Sequence, residues 1–135
     1  MANDAKVEVR GIKDLSKALR EIDKDLPKEL GAGLAEAAAI VADAARPKVP
    51  QRTGKAAASI KVRKQQRGAA LAVGGSKAPY FPWLDFGGKT GRNNSVRRPF
   101  VPGGRYIYPT LADKREQVNA KVDEVMARLA EKAGF

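Results

Sequence analysis

The feature that most limits how this chain can fold is the alanine-rich stretch that ends at Ala45 and is closed by Pro47 and Pro50. Within it Leu30, Leu34, Ala38, Val41 and Ala45 recur at helical spacing, which predicts a long helix with one apolar face. Asp25-Leu26-Pro27 marks its start, because Pro is tolerated in a first helical turn and not inside a helix. Gly31 and Gly33 each weaken such a helix by roughly 1 kcal/mol relative to Ala. Two explanations for them stand open: another backbone approaches closely there, or the glycines are merely tolerated. Only 6% of the residues are aromatic, so the core has to be built mostly of Ala, Val, Leu and Ile.

The rest of the chain arranges itself around that helix. Ala5-Lys6-Val7-Glu8-Val9-Arg10-Gly11 alternates small or apolar with charged residues, as a half-buried strand ended by Gly does. Ile12, Leu15, Leu19 and Ile22 then line one face of a first helix. Beyond the prolines, Thr53-Gly54 forms a turn. Ala58, Ile60 and Val62 next alternate with Ser59, Lys61 and Arg63. Gln65-Gln66-Arg67-Gly68 reads as a turn, and Ala69, Leu71 and Val73 alternate again up to Gly74-Gly75. Together these predict a β-hairpin with one apolar face and one basic-to-small face. Tyr80-Phe81-Pro82-Trp83-Leu84-Asp85-Phe86-Gly87-Gly88 packs four aromatics into a short helix or irregular turn. Residues 87–104 carry Gly, Asn, Ser, Pro and Arg and read as a long loop, and loops of that length are usually functional or disordered. Ordering it would take roughly 1–2 kcal/mol per residue, so mobility in the free subunit is expected. Leu111, Val118, Val122, Val125 and Leu129 predict a last amphipathic helix of five to six turns from about Pro109, packed on the second helix. The expected fold is one α+β domain over residues 1–135. A small antiparallel sheet, the N-terminal strand plus the central hairpin, is packed by the long second and C-terminal helices, and an extended basic loop covers residues 87–105.

Composition narrows the function. There is no cysteine and no histidine, which removes disulfides, thiolate chemistry, the commonest general base and the commonest zinc ligand. No Ser, Lys, Tyr or carboxylate constellation has catalytic spacing, so no enzyme, no cofactor and no metal site is expected. No run reaches the length of a membrane span, and Met1-Ala2-Asn3-Asp4 lacks the form of a signal peptide, so use inside a cell or a particle assembled there is expected. The net charge of +11 is concentrated: from Arg46 to Leu111 fourteen Lys and Arg face one acid, Asp85, while the remainder holds twelve bases and fourteen acids. Such segregation predicts a basic surface for a polyanion or an acidic partner.

Three groups of residues, in order, resemble a known family. Val49, Pro50, Arg52, Thr53, Gly54, Ser59 and Ile60 form the first, Tyr80, Leu84, Asp85, Phe86 and Gly87 the second, and Arg98, Pro99, Phe100, Pro109 and Leu111 the third. The pattern resembles the head–tail component family of long-tailed phages, the tail-completion or neck proteins, over roughly residues 5 to 130. Its Trp-Leu-Asp-Phe-Gly-Gly form is similar to variants from phages of actinobacteria, with Asp85 where the family more often has Glu. The resemblance implies a virion protein of the neck, at the head–tail junction, assembled in the host cytoplasm. It would be a ring subunit, six copies to the ring, meeting connector or stopper proteins and tail terminator or tail tube proteins. A tail terminator or minor tail protein capping the tube is the alternative, and a basic DNA-binding protein a second.

Candidate contacts follow from the same residues. Arg52, Thr53, Gly54, Tyr80, Trp83, Asp85, Phe86, Gly87, Arg97, Arg98 and Phe100 are the expected partner and ring interface. Each has a plainer reading too: Thr53-Gly54 as a turn from helix to strand, the aromatics as local core, Asp85 as an ion-pair partner or a cap. Lys89, Arg92, Arg97, Arg98 and Arg105 are the candidates for packaged DNA or an acidic partner, since guanidinium suits phosphate and carboxylate equally. The same loop also reads as solvated, or as an arm inserted in a neighbouring ring. DNA binding lacks a helix-turn-helix, zinc ligands or a stacking motif to support it.

Overall fold

The alanine-rich stretch forms one continuous helix, and the computed structural model, which describes residues 4–7, 12–65 and 68–134, puts it at the centre of the molecule. The order is β1 (Asp4–Val7), α1 (Ile12–Ile22), α2 (Leu26–Ala45), α3 (Lys55–Ala58), β2 (Lys61–Gln65), β3 (Gly68–Ala72), α4 (Phe81–Phe86), β4 (Gly88–Thr90), β5 (Val96–Arg98) and α5 (Ile107–Lys132). β1, β3 and β2 make an antiparallel sheet in that order, with Ala5 and Val62 both opposite Leu71. α2 lies against all three strands, and α1 and α5 pack on α2. The architecture is therefore α+β, with the N-terminal strand and the hairpin sharing one sheet, as the patterning predicts.

Of the twenty residues of α2 only Lys28, Glu36 and Asp43 are exposed, and their spacing sets them on a single stripe. The other residues of the helix are buried or half-buried. Leu30, Leu34, Ala37, Ala38, Val41, Ala42 and Ala45 join Leu71 and Val73 of the sheet side and Val118, Val125 and Leu129 of α5 in one core. Removing a side chain such as Leu34 from water contributes roughly 1.5–3 kcal/mol. Ion pairs from Lys132 to Glu29 (2.8 Å) and from Lys121 to Glu36 (3.2 Å) join α5 to α2 at the surface, where each contributes about 0–1 kcal/mol.

Gly31 and Gly33 turn out to differ. A Cβ at Gly33 would stand 2.5 and 2.7 Å from the two γ-methyls of Val125, whereas one at Gly31 would meet nothing within 4 Å. Close approach explains Gly33, by the Val125 side chain and not by another backbone, and tolerance describes Gly31.

Several expectations need adjustment. Ala58 belongs to a helical turn and not to the hairpin strand, which begins at Lys61. Ser59 ends that turn with its hydroxyl donating to the Ala56 carbonyl at 2.6 Å. α1 buries Leu19 but leaves Ile22, its last residue, exposed. α5 has 26 residues, about seven turns, because it starts two residues before Pro109 and continues past Leu129. The stretch expected as an extended loop contains a small second sheet, in which Gly88, Lys89 and Thr90 pair with Arg98, Arg97 and Val96. Residues 8–11 of the expected first strand and Gln66-Arg67 of the hairpin turn lie outside the described residues.

Alanine substitutions should separate the two glycines. Gly31→Ala is expected to stabilise the fold by about 0.5–1 kcal/mol through helix propensity. Gly33→Ala should destabilise it by about 1–3 kcal/mol through overpacking on Val125. Urea denaturation checks this, since the midpoints should move in opposite directions; shifts of the same sign would mean that α5 does not rest on Gly33.

Candidate functional site

α4 is only six residues long, and its four terminal carbonyls need partners that a helix of this length cannot supply. The downstream chain provides them. The Trp83 carbonyl accepts from Gly87 N–H at 2.7 Å, and the Phe86 carbonyl from Val101 N–H at 2.7 Å. The Leu84 carbonyl accepts from Arg98 Nε at 3.1 Å, and the Asp85 carbonyl from Arg105 Nη1 at 3.1 Å. Two arginines thus complete the cap of one short helix. Arg105 also donates to the Pro99 carbonyl, and Arg98 to the Tyr106 hydroxyl at 2.9 Å.

Asp85 closes the arrangement from the other side. Its carboxylate is fully buried, and Oδ1 accepts from the backbone N–H of Arg105 at 2.7 Å and of Tyr106 at 2.8 Å. Oδ2 has no hydrogen-bond partner among the described residues. Those two amides immediately precede α5, where the helix dipole favours negative charge. Of its two plain readings, the cap is the one observed; no cationic side chain touches the carboxylate among the described residues. Gly104, at φ +76°, lies beneath it, and a Cβ there would come within 2.9 Å of Oδ1.

The aromatics split between core and surface. Phe81 is buried edge-on to Tyr106, with ring centroids 6.5 Å apart. Trp83 is half-buried, its Nε1 donating to the Gly88 carbonyl at 3.1 Å, and the Arg98 guanidinium sits 5.8 Å over its ring. Phe86 packs against Tyr108 at 6.2 Å. Gly87 follows at φ +87°, and a side chain there would run into the Pro99 carbonyl. This collision is the physical reason for a glycine after Phe86. Tyr80 and Phe100 stay exposed.

Trp83, Asp85, Phe86, Gly87, Arg98 and Arg105 therefore gather into one knot at the base of the β4–β5 hairpin. Lys89, Arg92 and Arg97 project from the hairpin and are exposed. Arg52, Thr53 and Gly54 occupy a separate turn: Gly54, at φ +74°, starts α3, and Thr53 Oγ1 accepts from Lys55 N–H at 3.4 Å. That turn leads from helix into a further short helix instead of directly into a strand. Sequence reasoning missed Tyr106, which joins Asp85, Arg98 and Phe81; its place just before a helix start was the available signal. It also missed Arg46, whose guanidinium holds the Ile60 carbonyl at 2.9 Å.

What the arrangement can do is hold a surface in shape. Among the described residues no three acidic groups cluster to hold a metal ion, and no helix is long and apolar enough to cross a membrane. The α+β fold holds an exposed hairpin in place at both of its ends. The family pattern described as "Bacteriophage HK97-gp10, putative tail-component" matches residues 13–87, more than half of the chain. The chain belongs to this family, and is a structural component of a phage tail, found in the virion among other virion proteins. The match contains the first two sequence motifs and stops short of Arg98, Pro99, Phe100, Pro109 and Leu111. No curated protein and no solved structure matches the chain.

Removing the carboxylate should loosen the knot. Asp85→Ala is expected to destabilise the fold by about 2–4 kcal/mol, by stranding two buried N–H groups. Asp85→Asn should have a smaller effect, because one carbonyl oxygen still accepts. Thermal denaturation of both variants checks the order; equal, negligible changes would show that the two hydrogen bonds do not hold the hairpin base.

Proposed function

We propose that this tail component is a subunit of the neck ring, in which six copies join the tail to the DNA-filled head. The observation that carries the reading is where the exposed apolar surface lies. Of the five exposed large hydrophobic residues among those described, Tyr80, Val96, Phe100 and Tyr108 all belong to the unit built from α4, the hairpin and the start of α5. Phe100 is 66% exposed. Aromatic side chains concentrated on a pinned element are the usual anchors of a protein–protein contact. Lys89, Arg92 and Arg97 surround that surface with positive charge for acidic faces of the adjoining rings. Connector or stopper proteins would lie on one side and terminator or tail tube proteins on the other, without any chemistry by this chain. Arg98 and Arg105 would act here through the hairpin they support.

Electron microscopy of lysates from a phage whose copy of this reading frame is stopped early tests the assignment. Filled heads beside separate tails of normal length are expected. Overlong tails would make the protein a terminator, and intact infectious particles would overturn a role at the joint. Supplying the Arg97→Glu, Phe100→Asp variant in trans should fail to restore joining, although its stability should stay within about 1 kcal/mol of the parent, as exposed substitutions usually do.

A further inference from the structure

A second surface lies on the sheet, on the side away from α2. β3 is buried on both faces although only one faces the core. Ala69, Leu71 and Val73 point into the core, whereas Ala70 and Ala72 alternate to the opposite side. Their partners on β2 are Arg63 and Lys61, both exposed. Beyond β3 the chain reverses at Gly74 and Gly75, at φ +79° and +72°, and this turn brings Lys77 to the opposite rim. The result is a concave site of about 190 Å³, floored by Ala72 and Ser59 and walled by Lys61, Arg63, Ser76 and Lys77. Among the described residues no carboxylate lines it. In the pairing register, Lys6 and Asp4 of β1 stand opposite Ala70 and Ala72.

We propose that this basin binds an acidic segment of a partner protein. The carboxylates are held by Lys61, Arg63 and Lys77, and the side-chain methylenes lie on Ala72. Charge alone would fit a phosphate as well. The Ala72 methyl on the floor favours the carboxylate, because it matches the aliphatic stem of a glutamate, which a phosphodiester lacks. The basin is also of side-chain size, whereas a duplex presents its phosphates on the outside of a wide rod. β2 is an edge strand of the sheet, so an extended segment has a strand to run beside. Basic residues often guard such edges against unwanted pairing. Lys77 comes from a turn with no edge to guard, and guarding does not explain its place on the rim. The proposal stands on this geometry and not on the neck-ring reading.

The test is a titration of the isotope-labelled chain with a glutamate-rich decapeptide, followed by amide chemical shifts, with a short DNA duplex run separately at the same ionic strength. Saturable shifts confined to Ser59, Lys61, Ala72, Gly75 and Ser76 are expected with the peptide. The Arg63→Glu, Lys77→Glu variant, altered only at exposed positions, should bind at least about tenfold more weakly. The Lys89→Glu, Arg97→Glu variant, altered on the hairpin, should bind as the parent does. An equal loss in both variants would reduce the effect to net charge and overturn the site. So would shifts spread over the whole surface, or a duplex that moves these resonances while the peptide does not.

Discussion

Close packing of α2 against neighbours on nearly every side is the constraint from which the rest of the structure follows. A helix pressed between a sheet and two other helices cannot carry large side chains all round. Ala37, Ala38, Ala42 and Ala45 are each almost wholly buried, and Gly33 removes even the methyl where Val125 crosses. The alanine content thus reflects the distance between elements more than helix propensity. Interiors pack as densely as organic crystals, so even one added methylene at such a crossing is felt.

Because α5 is fixed on α2, its first residues are fixed as well, and they form the anchor for everything between β3 and α5. Arg105 and Tyr106 give their amides to Asp85, and the arginine side chains complete the carbonyl cap of α4. The hairpin is consequently held at both ends, at Gly88 by Trp83 and at Pro99 by Arg105. Buried polar groups are tolerated when their hydrogen bonds are made; here Asp85 makes two through Oδ1, while its Oδ2 has no partner among the described residues. A short, basic hairpin that would fray alone becomes a fixed surface feature of a phage tail component. An element fixed in advance would lose less entropy on docking, which is how preorganisation raises affinity.

The parts legible in the sequence are those ruled by local periodicity. The spacing of Leu30, Leu34 and Val41 gave α2, that of Val118, Val125 and Leu129 gave α5, and alternation around Val62 and Leu71 gave the β2–β3 hairpin. α3 was hidden because Ala58, Ser59 and Ile60 satisfy a strand pattern as well as a turn of helix. β4 and β5 were hidden because Gly-Lys-Thr and Val-Arg-Arg carry no alternation; distant side chains hold them, and no local rule can report those. Arg98 and Arg105 looked like surface cations for the same reason that guanidinium recognises phosphate: its fork of donors fits any oxygen acceptor, a helix carbonyl included. The basin on the outer sheet face stayed invisible because Lys61 and Lys77 are brought together only by the return of β3.

On the proposed reading, a pre-formed hairpin that carries Arg97, with Phe100 just beyond its end, would link this fold to docking within the virion. It is tested most directly by backbone order parameters from NMR relaxation of the isolated chain. Values near 0.85 through Gly88–Arg98, matching those of α5, are expected for an element held by Asp85, Arg98 and Arg105. Values below about 0.6 across the hairpin would contradict it, and would mean that the segment takes shape only on a partner.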